Sequence, residues 1–164
     1  MLVAALLLSG CTAADERPPP PAATGCTSAV LTDSLPTWAR TGFSGDGSGV
    51  PHVLGRDGQI LAVLFGRILS APPAPEPSNK ILWVARTPAM MGDTLRITAR
   101  LDGTNEQASR EVAGGPGPSI VDMPRPGCWH FTLSWSGHTE AMDLTYHPYS
   151  SSMVRSSSAS RAGS

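Results

Sequence analysis

Two stretches constrain the fold of this chain more than anything else in it: TLRITARL at 94–101 and CWHFTLSW at 128–135. In the first, Leu95, Ile97, Ala99 and Leu101 share one side, and Thr94, Arg96, Thr98 and Arg100 share the other. In the second, Trp129, Phe131, Leu133 and Trp135 alternate with His130, Thr132 and Ser134. A period of two matches a strand with one face in a core and one in water, because successive side chains of a strand point to opposite faces. Each stretch runs into a turn and then a second alternating segment. Asp102-Gly103-Thr104-Asn105 leads to QASREV (107–112). Ser136-Gly137-His138-Thr139 leads to EAMDLTYH (140–147), where Met142, Leu144 and Tyr146 fall on one face. Both read as β-hairpins.

Two other stretches, QILAVLF (59–65) and KILWVA (80–85), are apolar on both sides, as central strands are. The segment between them, LSAPPAPEPSN (69–79), holds four prolines and is expected to be a surface loop. PHVL (51–54) suits a short edge strand. LPTWAR (35–40) suits one helical turn with Pro36 near its start and Trp38 tucked against the body. With 17 glycines and 16 prolines in 164 residues, the composition is that of a turn-rich all-β protein. The expected fold is an immunoglobulin-like two-sheet β-sandwich of seven to eight strands over residues 26–148, with a small closed barrel as the alternative. The Cys…Trp…Cys spacing of true immunoglobulin domains is absent, since Cys26 precedes the first strong strand.

The first 25 residues read as an address. Residues 2–8 (LVAALLL) have the length of a signal-peptide core and are too short to span a bilayer. Leu8-Ser9-Gly10-Cys11 resembles a bacterial lipobox, in which the cysteine thiol carries a diacylglycerol and becomes the mature N-terminus. Residues 1–10 are then a removed signal. Residues 11–25, with Pro18 to Pro21, are a stiff linker from a lipid anchor at Cys11. No Lys or Arg precedes the apolar run, although signal segments normally carry positive charge there; a start codon further upstream is the simplest account. Residues 149–164 are serine-rich, without apolar period, and are expected to be a disordered tail. Cys26 and Cys128 remain. In an exported protein they favour one disulfide, pinning an N-terminal segment to the Cys128 strand; two buried free thiols are the alternative. Closing a loop of roughly 100 residues stabilises by about 4–5 kcal/mol in the chain-entropy treatment.

NKILWVAR (79–86), GGPGPSIVDMPRPGCWHFTLSWSGH (114–138) and LPTWARTGF (35–43) resemble a family of small, uncharacterised actinobacterial lipoproteins. The resemblance covers nearly all of 26–148, and its most specific marks are the Pro-Gly-Cys-Trp strand start and the Asn-Lys-Ile-Leu-Trp strand. It implies an exported, lipid-anchored β domain, and it brings no catalytic residues with it.

Chemistry-bearing residues are sparse. A net charge of −1 gives no basic patch for nucleic acid. Copper ligation of the blue-copper kind wants Cys, His and Met close together on one loop. Cys128 and His130 are only two apart, alternation turns both away from the apolar face, and Met142 lies on the next strand. A Gly-x-Ser-x-Gly elbow is absent. The glycine-rich run 42–49 lacks a phosphate-loop lysine and reads as a flexible loop, and 114–118 reads as a rigid turn. Asp122, ahead of Pro124, is expected to brace the loop leading to Cys128. Trp38 and Trp135 are candidates for an exposed aromatic binding surface, and Asp122 is a further candidate for that surface.

Three functional classes follow. The first is a lipid-anchored, non-enzymatic binding or accessory domain on the outer face of the cell membrane, monomeric, without cofactor, facing a protein or cell-wall partner. The second is a copper or zinc lipoprotein using His130, His138 and a third ligand. The third is a hydrolase whose residues are scattered in sequence.

Overall fold

Continuous and alternating apolar runs build different parts of the fold. The computed structural model describes residues 25–76 and 78–149; the expected signal segment, nearly all of the linker and of the serine-rich tail, and with them Cys11, lie outside the described residues. In chain order the strands are β1 (His52–Leu54), β2 (Ile60–Leu64), β3 (Leu69–Ala71), β4 (Lys80–Ala85), β5 (Thr94–Leu101), β6 (Gln107–Ala113), β7 (Pro118–Ile120), β8 (Gly127–Trp135) and β9 (His138–Pro148). They form a four-stranded sheet in the order β1-β2-β4-β7 and a five-stranded sheet in the order β3-β9-β8-β5-β6. The protein is a two-sheet β-sandwich, with nine strands where seven to eight were expected.

The alternating stretches make the five-stranded sheet. β5 pairs antiparallel with β8 so that Ile97 lies opposite Leu133, Ala99 opposite Phe131 and Leu101 opposite Trp129. β8 and β9 continue the match with Trp129 opposite Leu144 and Phe131 opposite Met142. That register places the large apolar residues of the three strands on the inner face. There they meet Ile60, Ala62, Ile81 and Trp83 of the other sheet in one core. Trp83 and Phe131 sit with ring centroids 6.3 Å apart, and the Trp83 indole N–H donates to the Ser119 hydroxyl.

The continuous runs make the four-stranded sheet, and its outer face is covered too. Leu61 and Val63 point outward and are buried under Leu35 and Ala39, with Trp38, Phe43, Val50, Leu54, Leu82 and Val84 packed around them. The covering segment contains a single 3-10 turn, Thr37–Ala39, entered through Pro36, as the sequence suggested. The glycine-rich run 42–49 is tied in rather than free. The Asp46 carbonyl accepts from the Leu35 amide, and its carboxylate accepts from the Ser48 amide and hydroxyl.

Two expectations need correction, and one short strand was not expected. Residues 69–79 are not all loop. Leu69–Ala71 is buried and pairs in parallel with the end of β9, ahead of the first proline. Its free side is satisfied by the Asn79 side chain, which accepts from the Ser70 amide and donates to the Ser70 carbonyl, both at 2.8 Å. The turn expected at 114–118 is present over 114–117, and it leads into the unexpected short strand β7, where Pro118 stands first on an edge strand and needs no amide bond. The second hairpin turn is Ser136-Gly137 alone. Both residues have positive φ, as a two-residue type I′ turn requires, so β9 starts at His138.

Candidate functional site

The outward side chains of β5, β8 and β9 line up across the open face of the five-stranded sheet. Arg100 lies opposite His130, and His130 opposite Asp143. The next row is small: Thr98 opposite Thr132, and Thr132 opposite Ala141. A row of long charged side chains beside a row of short ones leaves a basin of about 380 Å³. Thr27, Arg56, Arg100, His130, Thr132 and Ala141 are among the residues lining it.

Arg56 comes from the other sheet. Where β9 has no strand neighbour, the turn between β1 and β2 folds over it, and the Arg56 amide donates to the Ala141 carbonyl at 2.9 Å. Glu140, 2% exposed, holds that turn from below by accepting from the amides of Asp57 and Gln59. Gly55 is required for the approach, because a Cβ there would stand 2.5 Å from the Glu140 Cγ.

The N-terminal segment closes one end of the basin. Cys26 and Cys128 form a disulfide with Cα atoms 5.3 Å apart, as the sequence suggested. Beside it, the Asp143 carboxylate is fully buried and fully used. One oxygen accepts from the Thr27 amide and hydroxyl; the other accepts from Arg56 at 3.0 Å and His130 at 2.8 Å. The Ser28 hydroxyl accepts from the Asp143 amide, and Asp102 accepts from the Gly25 amide. Residues 25–28 are therefore clamped by one covalent bond and a network centred on a buried acid.

The electrostatics of the cluster follow from those contacts. Burial works to raise the Asp143 carboxyl, but the Thr27 hydroxyl, His130, the Thr27 amide and the Arg56 guanidinium outweigh it and hold it at about 2. His130 lies between two acids. Its Nδ1 faces Asp143, and its Nε2 faces Asp102 at 3.1 Å. The Asp143 hydrogen bond is the main influence on the ring. Partial burial opposes it, Asp102 adds to it, and the outcome is a pKa above the ordinary histidine value. The hydrogen bond from His130, followed by that from the Gly25 amide, lowers Asp102. Both ring nitrogens face carboxylate oxygens, so the contacts on either side of the ring favour its protonated form. The nearby Thr27 hydroxyl donates to Asp143 and not to the ring.

The residues singled out from sequence are scattered over the fold. His138 lies opposite Trp135, five residues along β8 from His130 and so about 17 Å away, and stacks on the Trp135 indole. Among the described residues no group of three His, Cys, Asp or Glu is arranged to hold a metal ion. Trp135 does not form an exposed platform. It is 2% exposed, on the inner face, with its N–H directed at the Thr87 carbonyl. Trp38 is half-buried over the four-stranded sheet. Asp122 lies in a braced loop. Its carboxylate accepts from the Asn79 side chain, and its carbonyl accepts from Arg110.

Sequence reasoning missed Arg56, Arg100, Asp102, Asp143 and Thr27 as a group. Arg100 and His130 both stood on polar sides of strong strands, which was a readable signal; their adjacency needed the register. Compared with protein-family models, curated proteins and solved structures, the chain finds no match.

Proposed function

We propose that this protein is an exported, lipid-anchored binding domain without enzymatic activity, held on the outer face of the cell membrane through Cys11. The observation that carries this is the Cys26–Cys128 disulfide directly after the proline-rich segment. A disulfide joining residues 102 apart belongs to an oxidising compartment. The lipobox-like LSGC supplies the address, and the resemblance to small actinobacterial lipoproteins agrees with it. The saturated His130 supports binding over catalysis. Intact mass of the natively expressed protein, taken from a detergent-solubilised membrane fraction with and without reduction before alkylation, tests the proposal. The expected mass begins at Cys11 with acyl chains attached, and Cys26 and Cys128 alkylate only after reduction. A soluble chain that starts at Met1 and has three free thiols overturns it.

A further inference from the structure

The ligand chemistry of the basin follows from its charge balance. Arg56 and Arg100 are cationic, His130 stands between them and its acids, and the side chains lining the basin include no carboxylate. The nearby acids do not fill it: Asp143 is fully buried beneath, Asp102 lies at the side against Gly25, and Glu140 is buried under the Arg56 turn. The solvent side of the basin carries the Arg100 guanidinium, which no carboxylate pairs among the described residues.

Donors are also left over. Arg100 is exposed and makes no ion pair among the described residues, so its five N–H groups are uncommitted. Arg56 is 55% exposed and spends one terminal nitrogen on Asp143. The exposed Thr98 and Thr132 hydroxyls stand in the next row. Guanidinium groups approaching from two elements, with the Thr132 hydroxyl in the same lining and Thr98 beside it, offer donors from several directions. A flat carboxylate uses donors in one plane; a tetrahedral phosphate uses them all round. Glu140 and the disulfide fix the two walls in advance, so ordering them costs little on binding.

We propose that the basin between Arg56, Arg100 and Thr132 is a binding site for a phosphate group, carried by a phospholipid headgroup or by a soluble phosphate. The proposal rests on the binding-domain reading above and not on the lipid anchor. The test uses the full-length, oxidised chain with Cys11→Ser, so that it is independent of lipidation. Sodium phosphate is titrated at neutral pH against sodium chloride and sodium acetate of equal ionic strength, and backbone amides and arginine Nε–H groups are followed by NMR. The expected result is saturable shifts at Arg100, Thr98 and Thr132 with phosphate only. Arg100→Ala, an exposed change that leaves the core intact, weakens them by about tenfold or more. Arg86→Ala, outside the basin, leaves them unchanged.

Vesicles of phosphatidylglycerol and of phosphatidylcholine then separate the sources. Sedimentation with the anionic vesicles that is lost in Arg100→Ala identifies a headgroup. Phosphate saturation without sedimentation identifies a soluble phosphate. Shifts no greater than with chloride or acetate, or unchanged by Arg100→Ala, overturn the site. A negative here leaves the mass measurement standing, and a failed mass measurement leaves a phosphate-saturable basin standing.

Discussion

The two outer faces of this sandwich have opposite fates. On the four-stranded sheet, Leu61 and Val63 point outward and are sealed under Leu35 and Ala39. On the five-stranded sheet, Thr98, Arg100, His130 and Thr132 point outward and stay open. The difference is written in the period of the strands. A run such as ILAVL has to be covered twice, so the chain spends 35–50 as a second lid; a run such as TLRITARL needs one cover only. The sealed face contributes stability, and the open one keeps its polar side chains in water.

Removing the covalent clamp gives the largest expected effect. Cys26→Ala with Cys128→Ala lowers unfolding free energy by about 4–5 kcal/mol, measured by urea denaturation. Leu61→Ala on the sealed face costs about 3 kcal/mol, since it empties a fully buried site. Asp143→Asn costs about 2 kcal/mol, because Arg56 and His130 lose their charged acceptor while the amide keeps the shape. Thr98→Ala on the open face changes stability by less than about 0.5 kcal/mol. If Leu61→Ala and Thr98→Ala cost the same, the contrast between the faces is wrong.

The pH dependence sharpens the same contrast. His130 has a raised folded pKa, so its contribution is complete below about 6.5 and is lost as pH rises through the folded value. Asp143 has a depressed folded pKa, so its contribution is present above 3.8 and is lost as pH falls through about 2. The clamp on residues 25–28 is therefore strongest between about pH 4 and 6.5. Hydrogen exchange at the Thr27 amide, corrected for the intrinsic rate, is expected to show protection falling above that window. Asp143→Asn flattens the profile, and the packing of Leu61 is unaffected throughout.

What could be read from sequence, and what could not, divides along physical lines. β4 and β5 are legible to the residue, and β8 to within one residue, because burial on one face or two imprints a local pattern. The disulfide was legible because the two cysteines were the only ones left once Cys11 was given to the anchor. β3 was hidden because its pairing partners are remote: parallel to β9 on one side, the Asn79 side chain on the other. Trp135 is amphipathic in principle, but alternation had already placed it with Trp129 and Phe131 on the buried face. The basin stayed hidden for a different reason. Arg56 arrives from a turn on the opposite sheet, through Glu140 and Gly55, and nothing local to Arg56 records where that turn lands.

The position of the disulfide also has a mechanical meaning. Any pull arriving from the N-terminal side enters at residue 25 and meets a covalent bond one residue later. The load passes into β8, which has a neighbour on each side, and spreads to β5 and β9 in shear across their hydrogen bonds. The covering segment at 35–50 lies downstream of that bond and feels no tension.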